Sequence, residues 1–439
     1  MSTGGAPAHS GANARHRGEE AAVLAGAAGE ETRLTGRVWR AGRGALVTDG
    51  EGRDHIDLGG GTFTQTLGHC HPDVVAAVRA QAGELENVHD CPTPVRLRAA
   101  KALARLLPPQ LDRVAFLTTG AEAVEAALRV VHAAADPARR RIAALRRGFH
   151  GKTYGARSIV QWEVGTEPPA AASLGYPAYC YRCPFGLAYP RCDLLCARLT
   201  VRQVLERTDV AAFIAEPVQG AAGVIVPPPG YWEILTEACR RGGVLLVADE
   251  VLTGGGRTGA FLACDIYGIE PDLVTLAKGI GSGYPVAALA GRHAVLSEEN
   301  CGAAGGFAST FAGSPVGLAA ASATLEAITR DDLPARAREL AIVMADALRP
   351  LAAEPAVGEI RQIGLLCGIE IVADRTTRRA APELAAHIIR RAADLGVRVI
   401  PGGHVIRIAP PLNIDEETLR DALGRLGKAI RDTVQGAVP

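Results

Sequence analysis

Two stretches decide the fold: residues 244–250, VLLVADE, and residues 272–278, DLVTLAK. Each is a short, unbroken apolar run that ends in ionisable side chains, Asp249 and Glu250 in the first and Lys278 in the second. Continuous Val, Leu, Ile and Ala runs without strict alternation read as strands covered on both faces. Working outward, RVAFLTT (113–119), AAFIAEP (211–217) and VAALAG (286–291) have the same character. Amphipathic helical stretches separate them, among them AEAVEAALRVVHAA (121–134) and YWEILTEACRRGG (231–243). Strands spaced by helices imply an α/β fold around a mainly parallel sheet.

The flanks differ. Residues 1–32 are rich in Ala, Gly, Ser and charge and read as a flexible arm, with a short helix possible in principle over 18–30. Residues 33–85 include the hairpin-like ALVTDGEGRDHIDL (45–58) and form the first part of a smaller domain. Residues 86–325 make the large domain. Residues 326–439, with LLCGIEIV, VRVI and HVIRIAP, return to the smaller α+β domain.

Composition excludes several function classes. The 439 residues carry 47 basic and 47 acidic side chains, so there is no basic surplus to hold nucleic acid. No apolar run is long enough to span a membrane, and the first twenty residues lack the basic-then-apolar pattern of a secretory signal. Ten cysteines are too sparse for a disulfide scaffold, which points to the reducing cytoplasm. Only four of the basic residues are lysine: Lys101, Lys152, Lys278 and Lys428. Arginine cannot give up its proton, so any amine chemistry falls to these four.

Ligands of open parallel sheets collect beyond the carboxyl ends of the strands. There, strand alternation sends Asp249 and Glu250 to opposite faces, and Lys278 becomes a desolvated amine of raised nucleophilicity. Thr118, Thr119 and Gly120 lie between a strand and a helix, where free amides and hydroxyls bind phosphate. Two decoys drop out. GFHGKT (148–153) has Arg146 where a phosphate loop needs its first glycine, and GIGSGY (279–284) lacks dinucleotide-fold spacing. A phosphate cradle, a strand-end acid, a strand-end amine and the aromatic turn Phe149-His150-Gly151 together suit pyridoxal phosphate. That cofactor needs an amine for its aldehyde, a carboxylate for its ring nitrogen and an aromatic on its ring face.

Eight blocks then complete a resemblance: LGHCHPDV (67–74), TTGAEAVEAAL (118–128), GFHGKTYG (148–155), AEPVQGAAGVIVPPPGYW (215–232), LLVADEVLTGGGRTG (245–259), LVTLAKGIGSGYPVAAL (273–289), STFAGSPVG (309–317) and VIRIAPPL (405–412). The chain resembles the class III aminotransferases of the fold-type I pyridoxal phosphate enzymes from about Thr35 onward. The resemblance implies a large domain with a seven-stranded-type sheet, a smaller α+β domain and a homodimer with shared sites. It makes Lys278 the Schiff-base lysine and proton shuttle, and Asp249 the partner of the ring nitrogen. Val251 and Phe149 would cover the two ring faces, beside His150, and Thr119, Gly120 and Ala121 would hold the phosphate. Thr310 would reach the neighbouring subunit's phosphate, Arg407 would grip a substrate carboxylate, and Glu216 would be structural.

Two positions depart from the 4-aminobutyrate and ornithine members. Ala221 replaces a glutamate that covers the arginine, and Leu252 replaces a glutamine beside the ring hydroxyl. The expected reaction is amino transfer between a primary amine or amino acid and a 2-oxo acid, with an epimerase or racemase as the alternative. The arginine-heavy, Ala/Gly-rich composition suggests a high-GC bacterium and adds amino sugars of secondary metabolism to the expected donors. Trp162 and Tyr176 are candidate pocket walls. Cys180, Cys183, Cys192 and Cys196 have zinc-compatible spacing, but packing thiols are the preferred reading and no metal is assigned.

Overall fold

The computed structural model describes residues 11–26, 29–89, 91–160 and 172–436. Its centre is a seven-stranded sheet built from β4 (Arg113–Leu117), β5 (Arg141–Leu145), β6 (Ala172–Gly175), β7 (Val210–Ala215), β8 (Leu245–Asp249), β9 (Leu273–Leu276) and β10 (Ala287–Gly291). The order across the sheet is β4-β10-β9-β8-β7-β5-β6. Only β10 runs against its neighbours; the β8–β9, β7–β8, β5–β7 and β5–β6 pairs are parallel. Every residue of β7, β9 and β10 is buried, as continuous apolar runs require when helices cover both faces. Helix Gly120–Ala134 buries Ala123, Val124, Ala127, Val130 and Val131 on one such face.

Because β10 is reversed on both sides, β4 runs the same way as β5, β7, β8 and β9. The carboxyl ends of these five strands therefore open on one edge of the sheet. Asp249 closes one of those ends, and Thr118–Gly120, Phe149–His150, Glu216 and Lys278 follow others.

Before this sheet come β1 (Trp39–Arg43), β2 (Leu46–Asp49) and β3 (Asp54–Asp57). After it come β11 (Val357–Ile363), β12 (Leu366–Asp374), β13 (Arg379–Ala380), β14 (Val397–Arg398), β15 (Ile400–Gly402) and β16 (Val405–Ile408). β14 pairs in parallel with β3, and Arg398 donates to Asp57 at 2.8 Å, so the early and late segments share a sheet. β11, β12, β16 and β15 form a third, antiparallel sheet.

The described part of the N-terminal arm differs from the flexible segment expected. Residues Ala12–Val23 are helical, and Asn13 is buried. Its side-chain oxygen accepts from Val38 N at 3.2 Å and Gly50 N at 3.1 Å. One polar side chain, unmarked by any apolar pattern, docks the arm onto the β1–β2 region. Asn13→Ala would take the acceptor from Val38 N and leave Gly50 N with the Val38 carbonyl alone. It should lower the stability of the folded chain by about 1–3 kcal/mol, read as a drop in urea midpoint.

Candidate active site

A cavity of about 660 Å³ opens at the strand ends. Thr118, Thr119, Gly120 and Ala121 form one wall, Phe149 and His150 another, and Asp249, Val251 and Lys278 the floor. The sequence-predicted groups are thus brought together, with four exceptions, one of them Arg407, described below. Thr310 is exposed and does not line this cavity; its carbonyl accepts from Asn87 Nδ2 at 2.9 Å. Trp162 lies outside the described residues. Tyr176 is not a cavity wall: its ring packs edge-on against Phe185, with the Arg146 guanidinium 5.0 Å from its centroid.

Asp249 ends the central strand almost fully buried. Its Oδ1 accepts from Val251 N and from Thr275 Oγ1, each at 3.1 Å, and its Oδ2 lies 2.7 Å from His150 Nδ1. Burial alone would push His150 down, but the bond and charge of Asp249 overcome this and hold the imidazolium above its ordinary range. His150 Nε2 is buried without a partner. The neighbouring Glu250 faces away, bonding Thr253 Oγ1 and Cys264 N, which separates the two carboxylates as alternation predicts.

Lys278 is the first residue of a 3₁₀ turn, with φ at +44°. A non-glycine residue in that region carries about 1–3 kcal/mol of strain, tolerated only where its surroundings hold it. Burial pushes its ammonium below the ordinary lysine value; Asp249 and Glu216 oppose this, and Arg407 and Arg257 add to it. Arg407 stands outside the cavity lining but close enough to act on that amine. It has no carboxylate partner among the described residues, its Nε is buried without a hydrogen bond, and its guanidinium lies 5.4 Å from the Phe63 ring centroid.

At the start of helix Gly120–Ala134, Thr119 and Glu122 form a reciprocal cap. Glu122 Oε2 takes the amides of Thr118 and Thr119, both at 2.9 Å. The first-turn amides of Gly120 and Ala121 have no intrahelical acceptor and remain for an anion. A Cβ on Gly120 would lie 2.8 Å from Val251 Cγ1, so only glycine lets the cradle close on the floor. An anion cradle, a buried carboxylate, an aromatic wall and a depressed amine around one cavity fit pyridoxal phosphate in shape and donor set.

Sequence reasoning missed Lys152, set aside with the decoy phosphate loop; it lines the same cavity. Its place directly after Phe149-His150-Gly151 was the available signal. Among the described residues no group of His, Cys, Asp and Glu is arranged to hold a metal ion, and the ten cysteines are free. Burial pushes the Cys196 thiol up to about 11.

Fold and site together define a pyridoxal phosphate enzyme. Residues 27–430 match the class III aminotransferase family model, and the chain belongs to that family, whose cofactor and amino-transfer chemistry it shares. It is 36% identical to an acetylornithine aminotransferase of Methanothermobacter thermautotrophicus, over 89% of this chain and 93% of that one. It is 34% identical to a leucine/methionine racemase of Thermococcus litoralis, over 90% and 91%. An amine transaminase structure from an uncultivated Pseudomonas species, in its pyridoxal phosphate-bound form, superposes with a TM-score of 0.84 at 32% identity, covering 94% of this chain and 98% of that one.

Glu216 supports the site from behind, accepting from Phe149 N at 2.9 Å and Gly220 N at 3.0 Å. Burial pushes its carboxyl from 4.5 up to about 7. The folded chain therefore holds this proton more tightly than the unfolded chain, a stabilisation complete below pH 4.5 and lost as pH rises through about 7. Relative to Glu216→Gln, the wild type should lose roughly 3 kcal/mol across that window. Urea unfolding of both proteins at the two ends of the window measures it.

Proposed function

We propose that Lys278 Nζ is the amine that bonds the cofactor aldehyde and carries the reacting proton. The observation that carries this reading is a half-buried lysine, its ammonium disfavoured by its surroundings, sharing one cavity floor with the buried Asp249 at the strand ends. Bound there, pyridoxal phosphate supplies an aldehyde carbon, C4′, that takes the amino group and a ring that draws electrons from substrate Cα. Asp249 holds the proton on the ring nitrogen, with its own orientation fixed by His150 and Thr275. Phe149 and Val251 confine the ring. Thr119, Gly120 and Ala121 bind the phosphate. Lys278, its ammonium disfavoured by burial, accepts the Cα proton and releases it at C4′. Arg407 binds the carboxylate of the 2-oxo acid, and Ala221 leaves that cation without an acidic cover.

We assign residues 86–325 to the cofactor-binding domain and residues 33–85 with 326–439 to the smaller one. The exposed Thr310 and the neighbouring Phe311, 60% exposed, support a homodimer in which Thr310 completes the partner's phosphate site. Free thiols throughout the described chain support a cytoplasmic location. The donor is a primary amine or amino acid, with amino sugars of secondary metabolism in the set to be screened.

The racemase relative favours a second reading, in which Lys278 returns the proton to Cα. A donor panel including amino sugars separates the two. Amino transfer converts the holoenzyme to its pyridoxamine phosphate form, whereas racemisation gives Cα deuterium exchange with inversion and no such form. Lys278→Ala should abolish the borohydride-fixable cofactor band and reduce turnover by about 10³-fold or more. A variant that keeps both the band and the rate would refute the assignment.

A further inference from the structure

Three adjacent strands of the C-terminal sheet place Arg361, Gly368 and Arg407 in one line. Arg361 on β11 is opposite Gly368 on β12, and Gly368 is opposite Arg407 on β16. Directly opposed residues of antiparallel strands project to the same face. Two guanidinium-bearing side chains thus flank a residue without a side chain, their backbones roughly 10 Å apart at two strand spacings.

The turn of residues 220–224 fills the space above Gly368. A Cβ at that position would lie 2.6 Å from Gly223 O and 3.2 Å from Val224 Cβ. The turn is closed by the Gln219–Ile225 backbone pair, with Gly223 N and Val224 N both donating to Gly220 O at 3.2 Å. It is also strained. Val224, fully buried, has φ at +57°, a region that a β-branched residue adopts only under constraint, at about 1–3 kcal/mol.

Arg361 supplies the constraint. Arg361 Nη2 donates to Gly223 O at 2.8 Å, and its Nε donates to Val224 O at 3.1 Å. Its charge is met by Glu370 at 2.6 Å and Glu359 at 2.5 Å. Glu370 is itself buried and tied to Tyr179 Oη at 2.5 Å, to Arg182 and to His404. The two in-line arginines therefore have opposite fates. Arg361 is neutralised and spends its donors on the turn, whereas Arg407 forms no ion pair among the described residues: one Nη donates to Pro401 O, its Nε is buried and unmatched, and Glu30 and Glu216 act on it only through their charge. The same turn carries Ala221, whose methyl group has nothing to offer a cation.

We propose that Arg361 is a positioning residue: by gripping the Gly223 and Val224 carbonyls above Gly368, it seats the 220–224 turn beside Arg407 and keeps that guanidinium open to the carboxylate of a 2-oxo acid or amino acid. This rests on the reading of Arg407 as the carboxylate ligand. Specificity is then set jointly by what residue 221 lacks and by where Arg361 holds it.

Two variants test this by different routes. Arg361→Met/Glu370→Gln removes the clamp without leaving a buried charge unpaired. Gly368→Ala keeps every charge and drives the Gly223 carbonyl off the sheet. In both, hydrogen exchange across residues 218–226 should accelerate. In the pyridoxamine phosphate form, half-saturation by pyruvate should rise about tenfold, while the maximal rate and the reaction with propanal, which lacks the carboxylate, stay within about twofold. Calorimetric titration of pyruvate onto the aldehyde form of the holoenzyme reads the same seat without turnover, and should weaken about tenfold. A wild type that binds pyruvate but transfers no amino group removes the transaminase roles and leaves this proposal decided by the titration. Variants whose turn loosens with pyruvate and propanal affected alike, whose turn does not loosen, or whose pyruvate binding is unchanged would overturn it.

Discussion

One buried carboxylate organises the catalytic edge. Asp249 terminates the central strand almost fully buried, so its oxygens are satisfied mainly by the protein. The partners come from three directions: the residue two places on, Thr275 of the neighbouring strand β9, and His150 from the turn after β5. Meeting that one requirement fixes the registry of β8 with β9 and draws the Phe149-His150 turn across the intervening β7. Phe149 is in turn held through its amide by Glu216, at the end of that same β7. The aromatic wall, the acid and the amine are consequently set relative to one another by hydrogen bonds that each strand end supplies.

Charge is distributed unevenly around that centre. Lys278 lies in a region where burial already disfavours its ammonium, and two guanidinium groups, the buried Arg257 and the half-buried Arg407, share its surroundings. Burial pushes both of those down to about 10, still far above neutrality, so they remain cationic. An amine whose charged form is disfavoured, set among fixed cations, suits a proton carrier: a proton accepted from carbon is under electrostatic pressure to leave again. The positive φ at Lys278 belongs to the same arrangement, since an unstrained turn would give the side chain another exit from the strand.

Much of this was legible from the residues because it depends on local rules. VLLVADE and DLVTLAK became β8 and β9, TTGAE became a reciprocal cap on a phosphate-ready helix, and alternation separated Asp249 from Glu250. Strands β5 and β6 escaped notice, because RIAAL is short and Ala-rich and ASLG has almost no apolar signal. The docking of Asn13 was equally hidden, since one asparagine that caps two distant backbone amides looks like any surface polar residue. The Arg361–Glu370 clamp depends on register between strands, and Tyr179 joins Glu370 across 191 residues of chain. Such pairings are decided by tertiary packing, which no window of sequence contains.

The parallel pairing of β14 with β3 has a consequence for how the chain is made. Arg398 and Asp57 are 341 residues apart, so the first sheet cannot be closed until nearly all of the polypeptide has left the ribosome. At roughly 5–20 residues per second, that leaves the outer edge of β3 bare for on the order of 17–70 s. During that interval the large parallel sheet is also still assembling, and an open strand edge is the surface most prone to pair with another nascent chain. Biosynthetic yield should therefore depend on translation speed and chaperone supply more than the stability of the finished protein would suggest.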